Sequence, residues 1–188
     1  MLRGIAAAEA AGFSSIKINA VIQRGINEDQ VLPLVEKFRG TKHVLRFIEF
    51  MDVGNCNSWS MQDVVPSKQL QSKIHEHWPL KPVSANYRGE VASRYRFVDG
   101  AGEIGFVSSV SEPFCGDCHR ARLSADGHVY TCLFAGKGHD IREDLAQGEQ
   151  ALNQKLSEIW TNRADRYSEL RNAQTRQSRK IEMYFIGG

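Results

Sequence analysis

Three of the four cysteines stand as C-x2-C-x13-C at Cys115, Cys118 and Cys132, inside PFCGDCHRARLSADGHVYTCLF. This spacing limits the fold more than any other feature. Two cysteines three apart on a tight, glycine-containing turn can aim both sulfurs at one centre. A third reaches that centre only if the chain doubles back. The intervening residues supply the return: ARLSA and HVYTCL alternate as short strands, and Ala125-Asp126-Gly127 carries the Asp-Gly hairpin signal. The spacing predicts a three-thiolate cup closed by a β-hairpin. Such a cup suits two kinds of centre. A structural zinc site would recruit a fourth ligand such as His119, His128 or His139. A [4Fe–4S] cluster held by three cysteines keeps one iron open to a ligand. Cysteine arithmetic alone favours the zinc knuckle. A disulfide framework fits less well, because 188 residues can bury a core of their own and no secretory signal is evident.

The flank of the second cysteine shifts that balance. Arg120 and Arg122 follow Cys118 as C-x-R-x-R-L, placing both guanidiniums on one strand face. Two fixed guanidiniums beside an open metal site suit a polyphosphate, whose oxygens a guanidinium fork matches bidentately. Without the cysteines, a pair of surface arginines would be the plainer reading. Net charge is only +2, so bulk electrostatics do not argue for nucleic acid. Hydrophobic content of 41% and charged content of 24% are ordinary for a globular protein. No apolar run is long enough to span a bilayer. Thiols reserved for a metal imply a reducing compartment, hence the cytoplasm.

Upstream, Leu2–Ala11 is Ala-rich and helical, with Gly12 as its stop. Residues 16–22 read as a buried strand interrupted by Lys17, which usage alone would place on a solvated edge. Asn27 is expected to cap a helix running to about Arg39, with Gln30 in the capping-box position and Pro33 kinking or splitting it. Residues 44–51 form a second strand. Strand, helix, strand of these lengths reads as a βαβ unit with parallel strands. Arg46 and Glu49 fall on opposite faces of that second strand. Met51 closes it, and core filling is its ordinary use. Ser67 is expected to cap a helix ending near Trp78, with Leu70, Ile74 and Trp78 on one face. His75 and His77 on that helix are read as solvated. A Pro-bearing linker covers 79–92. Residues 94–98 and 104–110 then flank an Asp99-Gly100 hairpin. Gly136–His139 reads as a loose loop, and GKGHD lacks the ending of a P-loop. Helices are expected near 141–147 and 149–163, the second turning Leu152, Leu156 and Trp160 inward. Residues 163–180 read as a charged, solvated stretch, residues 181–186 as a docking segment, and Gly187-Gly188 as a tail slim enough for a narrow cavity.

FCGDCHRARLSADGHVYTCLF, together with KINAVIQRGINEDQ, RFIEFMDVGN and the terminal IGG, closely resembles the radical-SAM GTP 3′,8-cyclases of molybdenum-cofactor synthesis, the MoaA family. The resemblance covers nearly the whole chain. That family's N-terminal C-x3-C-x2-C motif, which binds the SAM-cleaving cluster, is absent from this sequence. The chain looks like the C-terminal part of such an enzyme, beginning inside an internal helix. The implied fold is α/β plus α+β: residues 1–51 as the last strands and helices of an incomplete (βα) TIM-like barrel, and residues 52–188 as a C-terminal α+β cap carrying the iron–sulfur hairpin, the GTP site and the Gly-Gly tail. The resemblance implies that Cys115, Cys118 and Cys132 hold a [4Fe–4S] cluster. It implies that Lys17, Arg120, Ala121 and Arg122 contact GTP, that Met51 lies beside S-adenosylmethionine, and that the Gly-Gly tail enters the active site. Arg46 is a weaker candidate for the phosphates, and Cys56 lies outside the family's ligand set. The implied reaction begins when a 5′-deoxyadenosyl radical takes hydrogen from C3′ of GTP. The sugar radical then attacks C8, giving 3′,8-cyclo-7,8-dihydro-GTP. No catalytic side chain is singled out, and the chain alone, lacking the SAM-cleaving cysteines, is expected to be inactive. Implied partners are GTP, with no nucleic acid and no membrane, and a functional link to the cyclic pyranopterin monophosphate synthase step. A homodimer of the full-length enzyme is compatible with the resemblance. Two other readings stay open: a zinc-binding interaction module, and the auxiliary-cluster domain of another radical-SAM enzyme.

Overall fold

The computed structural model describes residues 2–171 and 180–186. It is a mixed α/β fold with five α-helices among the described residues. Two compact units emerge, one of residues 1–51 and 60–113, the other of residues 52–59 and 114–188. The chain therefore leaves the first unit at Asp52, returns at Ser60 and leaves again at Phe114.

The first unit is built on a five-stranded mixed sheet. Its strands are β1 (Lys17–Ile22), β2 (Val44–Glu49), β3 (Leu80–Val83), β4 (Ser93–Phe97) and β5 (Glu103–Val107), in the order β1-β2-β5-β4-β3. β1 and β2 run parallel, as the βαβ reading requires, with Lys17 beside Val44 and Asn19 beside Arg46. β2 and β5 are also parallel, whereas β4 pairs antiparallel with both β5 and β3. Residues 80–83, read from sequence as linker, thus form an edge strand. One face of the sheet buries Ile18, Ile22, Leu45, Phe47, Ile104 and Phe106 against α2 (Val31–Phe38) and α3 (Ser67–His77). The first helix, α1 (Leu2–Ala10), contributes only the partly buried Ile5 to this core.

Pro33 does not kink a long helix. A 3-10 turn at Glu28–Gln30 precedes α2, and Pro33 falls in the first turn of α2, where its missing N–H costs nothing. Asn27 caps neither piece with its side chain. Its Oδ1 accepts from Gln23 N at 2.9 Å and its Nδ2 donates to Val21 O at 2.9 Å, stitching the turn after β1. Ser67 does not cap α3 either: it is the first residue of that helix, and its buried hydroxyl has no hydrogen-bond partner among the described residues. The cap comes from β2 instead. Glu49 is 1% exposed, and its carboxylate accepts from Ser67 N at 2.7 Å, Val110 N at 2.8 Å and Ser111 N at 2.8 Å, and from the Ser111 hydroxyl. A negative group at a helix N-terminus is favoured by the unpaired amides there and by the helix dipole.

The second unit carries a three-stranded sheet, β6 (Arg122–Leu123), β7 (His128–Tyr130) and β8 (His139–Asp140), followed by α4 (Arg142–Gln147) and α5 (Glu149–Thr161). Its small core joins Val129, Ile141 and Ile159, with Leu152 packed alongside. Leu156 and Trp160 are more than a third exposed, so α5 turns Leu152 and Ile159 inward rather than the expected trio. Of residues 181–186, Ile186 is buried and Ile181 N donates to Ala135 O at 3.1 Å, while Tyr184 is 84% exposed. Gly187 and Gly188 lie outside the described residues. No helix among the described residues is long and apolar enough to cross a membrane.

Candidate metal centre

Cys115–Asp117 form a single 3-10 turn, closed by Cys118 N donating to Cys115 O at 3.2 Å. The next residues enter β6, which pairs with β7 through Arg122↔Tyr130 and Leu123↔Val129. The hairpin turn falls where Asp-Gly predicts it. Gly127 N donates to Ser124 O at 3.1 Å, and Ser124 N donates to His128 O at 3.0 Å. Gly127 has φ +80°, and a Cβ there would come within 2.5 Å of Arg142 Cγ, so glycine is needed on both counts. The loose loop expected at 136–139 ends instead in β8, which pairs with β7 through Val129↔His139 and His128↔Asp140. Continuing the β6–β7 register by two residues sets Arg120 across from Cys132. The hairpin thus brings the first thiol pair and the third thiol to the same end of the sheet.

None of the four cysteines is in a disulfide. The three of the motif are close enough to feel one another's charge. Burial, chiefly, pushes the Cys132 thiol above its ordinary value, and the Cys115 and Cys118 thiolates add to the rise. Burial also works to raise Cys118, but hydrogen bonds from Arg120 and Arg163 outweigh it and the thiol ends below its ordinary value. Arg120 Nε donates to Cys118 Sγ at 3.4 Å, and its guanidinium lies 5.3 Å from the Phe114 ring. Arg122 is half-buried. Burial and repulsion from Arg120 lower its pKa, against the pull of the Cys132 and Cys118 thiolates. Neither Arg120 nor Arg122 has a carboxylate partner among the described residues. Ala121, between them, is exposed.

No group of three His, Cys, Asp or Glu side chains among the described residues is gathered closely enough to hold a single metal ion. Of the imidazoles a zinc site would use, His128 lies 3.2 Å from the Asp126 carboxylate, and His119 and His139 are exposed. The three reduced thiols at this end of the sheet, with two arginines near them, are the all-sulfur donors present here. That set fits a cluster that leaves one corner without a protein ligand. Cys56 stands apart from it, exposed, with Sγ 3.7 Å from Glu182 Oε1.

Residues 163–171 read as a solvated charge run, but they pack around the cysteines. The Arg163 guanidinium donates to Cys118 O. Asp165 accepts from the Thr131 hydroxyl at 2.6 Å and from Arg163 Nε at 3.2 Å. Glu169 accepts from Gly116 N at 3.2 Å. Tyr167 stacks on Phe134 with ring centroids 4.4 Å apart. Its hydroxyl donates to Asp52, whose carboxylate also takes Arg171 and Lys180 at 3.0 and 3.1 Å. The only available sequence signal was interleaved charge of both signs around an aromatic, Arg163-Ala164-Asp165-Arg166-Tyr167, which a one-signed solvated run would lack.

Lys17 and Met51 belong to the first unit. Lys17 shares the exposed face of β1 with Asn19, and Arg46 Nε donates to Asn19 Oδ1 at 2.9 Å. Gly105 on β5 leaves room for that arginine, since a Cβ there would stand 3.1 Å from Arg46 Cγ. Asn19 was missed in the sequence because a lone strand asparagine carries no signal until its neighbour across the ladder is known. Met51 is half-buried just past the end of β2.

Residues 43–169 match the family model described as Molybdenum Cofactor Synthesis C. The chain is 64% identical over all its 188 residues to a protein of Xanthomonas campestris pv. campestris (strain B100) named GTP 3′,8-cyclase, of which it covers 56%. Proteins of the same name from Synechococcus sp. (strain CC9605) and Acidothermus cellulolyticus are 50% and 45% identical, with 54% and 59% of their lengths covered. The chain spans about half the length of the curated relatives it matches.

Proposed function

Because the chain belongs to the Molybdenum Cofactor Synthesis C family, we propose that it is the GTP-binding side of a GTP 3′,8-cyclase, holding a [4Fe–4S] cluster on Cys115, Cys118 and Cys132. A cluster bound there would supply an open iron, a Lewis acid that can orient a purine and shift its electron density. The chain's own residues do the positioning. Arg120, two residues ahead of β6, and Arg122, its first residue, take the triphosphate through their guanidinium forks, with the Ala121 backbone between them. With its Nε turned to Cys118 Sγ at 3.4 Å, Arg120 offers a phosphate its two terminal nitrogens. Lys17 is a further phosphate anchor, with Arg46 as the weaker candidate. Holding base and phosphates at separate ends fixes the ribose, and C3′ with it, which is catalysis by orientation.

In this reading residues 1–51 are the end of a partial (βα) barrel and residues 52–188 a cap bearing the iron–sulfur hairpin. Met51 borders S-adenosylmethionine, and the protein works in the cytoplasm ahead of the cyclic pyranopterin monophosphate synthase step. The observation that carries the proposal is the pair of arginines, without carboxylate partners among the described residues, beside three reduced thiols. The test is anaerobic reconstitution of the 188-residue chain with iron and sulfide, followed by iron, sulfide and zinc analysis and a GTP titration. The expected result is a brown protein with [4Fe–4S] stoichiometry that binds GTP. A colourless protein carrying zinc and no sulfide would establish the interaction-module reading instead. A cluster with no affinity for guanine nucleotide would point to another radical-SAM relative.

A further inference from the structure

The β6–β7 ladder ends at Arg122↔Tyr130. Cys118 lies four residues beyond one strand end and Cys132 two beyond the other, so the ladder does not reach either thiol. Their separation must be set by something else. The structure assigns this task to Arg163 and Asp165, which we propose form a clasp between the two cysteine-bearing loops and fix the sulfur spacing that a cluster meets. The inference rests on the proposed cluster site and goes beyond it, to residues with no thiol of their own.

The contacts form an unbroken chain. The Cys118 carbonyl accepts from Arg163, Arg163 Nε donates to Asp165 Oδ2 at 3.2 Å, and the same oxygen accepts from the Thr131 hydroxyl at 2.6 Å. Thr131 is 5% exposed and adjoins Cys132. The clasp is itself anchored. The Arg163 guanidinium lies 5.0 Å from the Trp160 ring at the end of α5. One residue earlier in that helix, Ile159 packs into the core formed with Val129 of β7. The element that carries the clasp is thereby docked on the hairpin whose far ends it joins. Glu169 adds a second hold on the first thiol pair through Gly116 N. Lysine at 163 keeps the charge but cannot bridge a carbonyl and a carboxylate with a planar fork. Arg163 and Asp165 are positioning residues: they act on the site through Cys118 and Cys132.

The test uses Arg163→Lys, Thr131→Val and Thr131→Ser in the anaerobically reconstituted chain. Chelator-driven iron release is followed by the loss of visible absorption, and thermal unfolding of each apoprotein reports the fold. Arg163→Lys and Thr131→Val should each release iron about tenfold faster or more, the scale seen when partners of metal ligands are removed. Thr131→Ser, which keeps the hydroxyl, should match wild type. The Arg163→Lys/Thr131→Val pair should be no faster than the worse single variant, because both break one chain of contacts. A second arm does not need the cluster. In apoprotein with Cys56 and Cys115 changed to Ser, a short thiol crosslinker should join Cys118 to Cys132 more slowly once Arg163→Lys is introduced. Equal crosslinking rates overturn the clasp even if no cluster forms. A wild-type chain that takes up zinc overturns the cluster reading while the crosslinking arm still decides the clasp.

Discussion

Replacing Glu49 by Leu tests whether one buried carboxylate holds three segments of the first unit together. The carboxylate receives four hydrogen bonds, two on each oxygen: Ser67 N and the Ser111 hydroxyl on one, Val110 N and Ser111 N on the other. These account for all of its lone-pair sites. Leucine conserves the bulk and the apolar contacts but takes the acceptor from three backbone N–H groups, at buried Ser67, partly buried Val110 and exposed Ser111. An orphaned buried group costs about 1–3 kcal/mol, and water relieves part of the loss at Val110 and Ser111, so the loss is roughly 2–6 kcal/mol, a large share of the stability of a typical domain at about 5–15 kcal/mol. Glu49→Gln is milder. With its amide nitrogen toward the Ser111 hydroxyl, which can turn to accept, only Ser67 N loses its partner, for about 2 kcal/mol. At roughly 2–4 °C per kcal/mol for a chain of this size, the Gln variant should melt about 4–8 °C lower. The Leu variant should melt lower still. Circular dichroism melts of both proteins, with Ser111→Ala as a single-bond control, give the ranking Leu, then Gln, then Ala in order of damage. A Leu variant that melts within about 2 °C of wild type would show that these amides find other partners, and the capping argument would fail.

Asp52 gives a pH prediction. Burial opposes its ionisation most strongly, but the Tyr167 hydroxyl, Arg171 and Lys180 outweigh burial and hold its carboxyl below the ordinary value of 3.8. A depressed folded-state pKa means the stabilisation is complete above the unfolded value and is lost as pH falls through the folded one. Stability should therefore drop below about pH 4, and Asp52→Asn should flatten that limb while costing about 3–5 kcal/mol at neutral pH by removing the negative charge that buried Lys180 and Arg171 both face; an acid limb unchanged in Asp52→Asn would remove the assignment. Arg120→Ala should weaken GTP binding in an anaerobic titration while iron and sulfide content stay at wild-type levels, and unchanged affinity would exclude its phosphate role. Cys118→Ser should abolish the visible absorption of the reconstituted chain. Gly127→Ala should cost about 1–3 kcal/mol, the price of a side chain at positive φ, measured by denaturant titration.

Periodicity made the parallel β1–β2 pair legible, because a buried strand, a helix and a second buried strand admit few arrangements. The turn of the thiol hairpin was legible for a local reason: Asp-Gly combines a side chain that tolerates the turn with a residue free to take φ +80°. Capping was misread at Asn27 because its side chain is spent on the turn after β1, and at Ser67 because the acceptor lies far off in sequence. A capping motif is written within four residues, whereas the acceptor that α3 uses belongs to Glu49, 18 residues earlier. Arg163 and Asp165 were hidden by distance as well, since a charged residue bonded to a carbonyl 45 positions away looks in sequence like any solvated side chain. The same blindness explains Asn19, whose partner Arg46 is 27 residues off.

These misses fall on one kind of interaction. Apolar burial leaves a periodic trace because it depends on which face a residue occupies. Polar satisfaction leaves none, because a backbone amide accepts help from whatever carboxylate the fold brings near it. The cysteines were readable although they too act at long range, since three sulfurs on a fixed spacing have few uses apart from a shared centre. The residues proposed to tune that centre sit outside the motif, and the order of damage among Arg163→Lys, Thr131→Val and Thr131→Ser measures how much of the site the motif leaves unsaid.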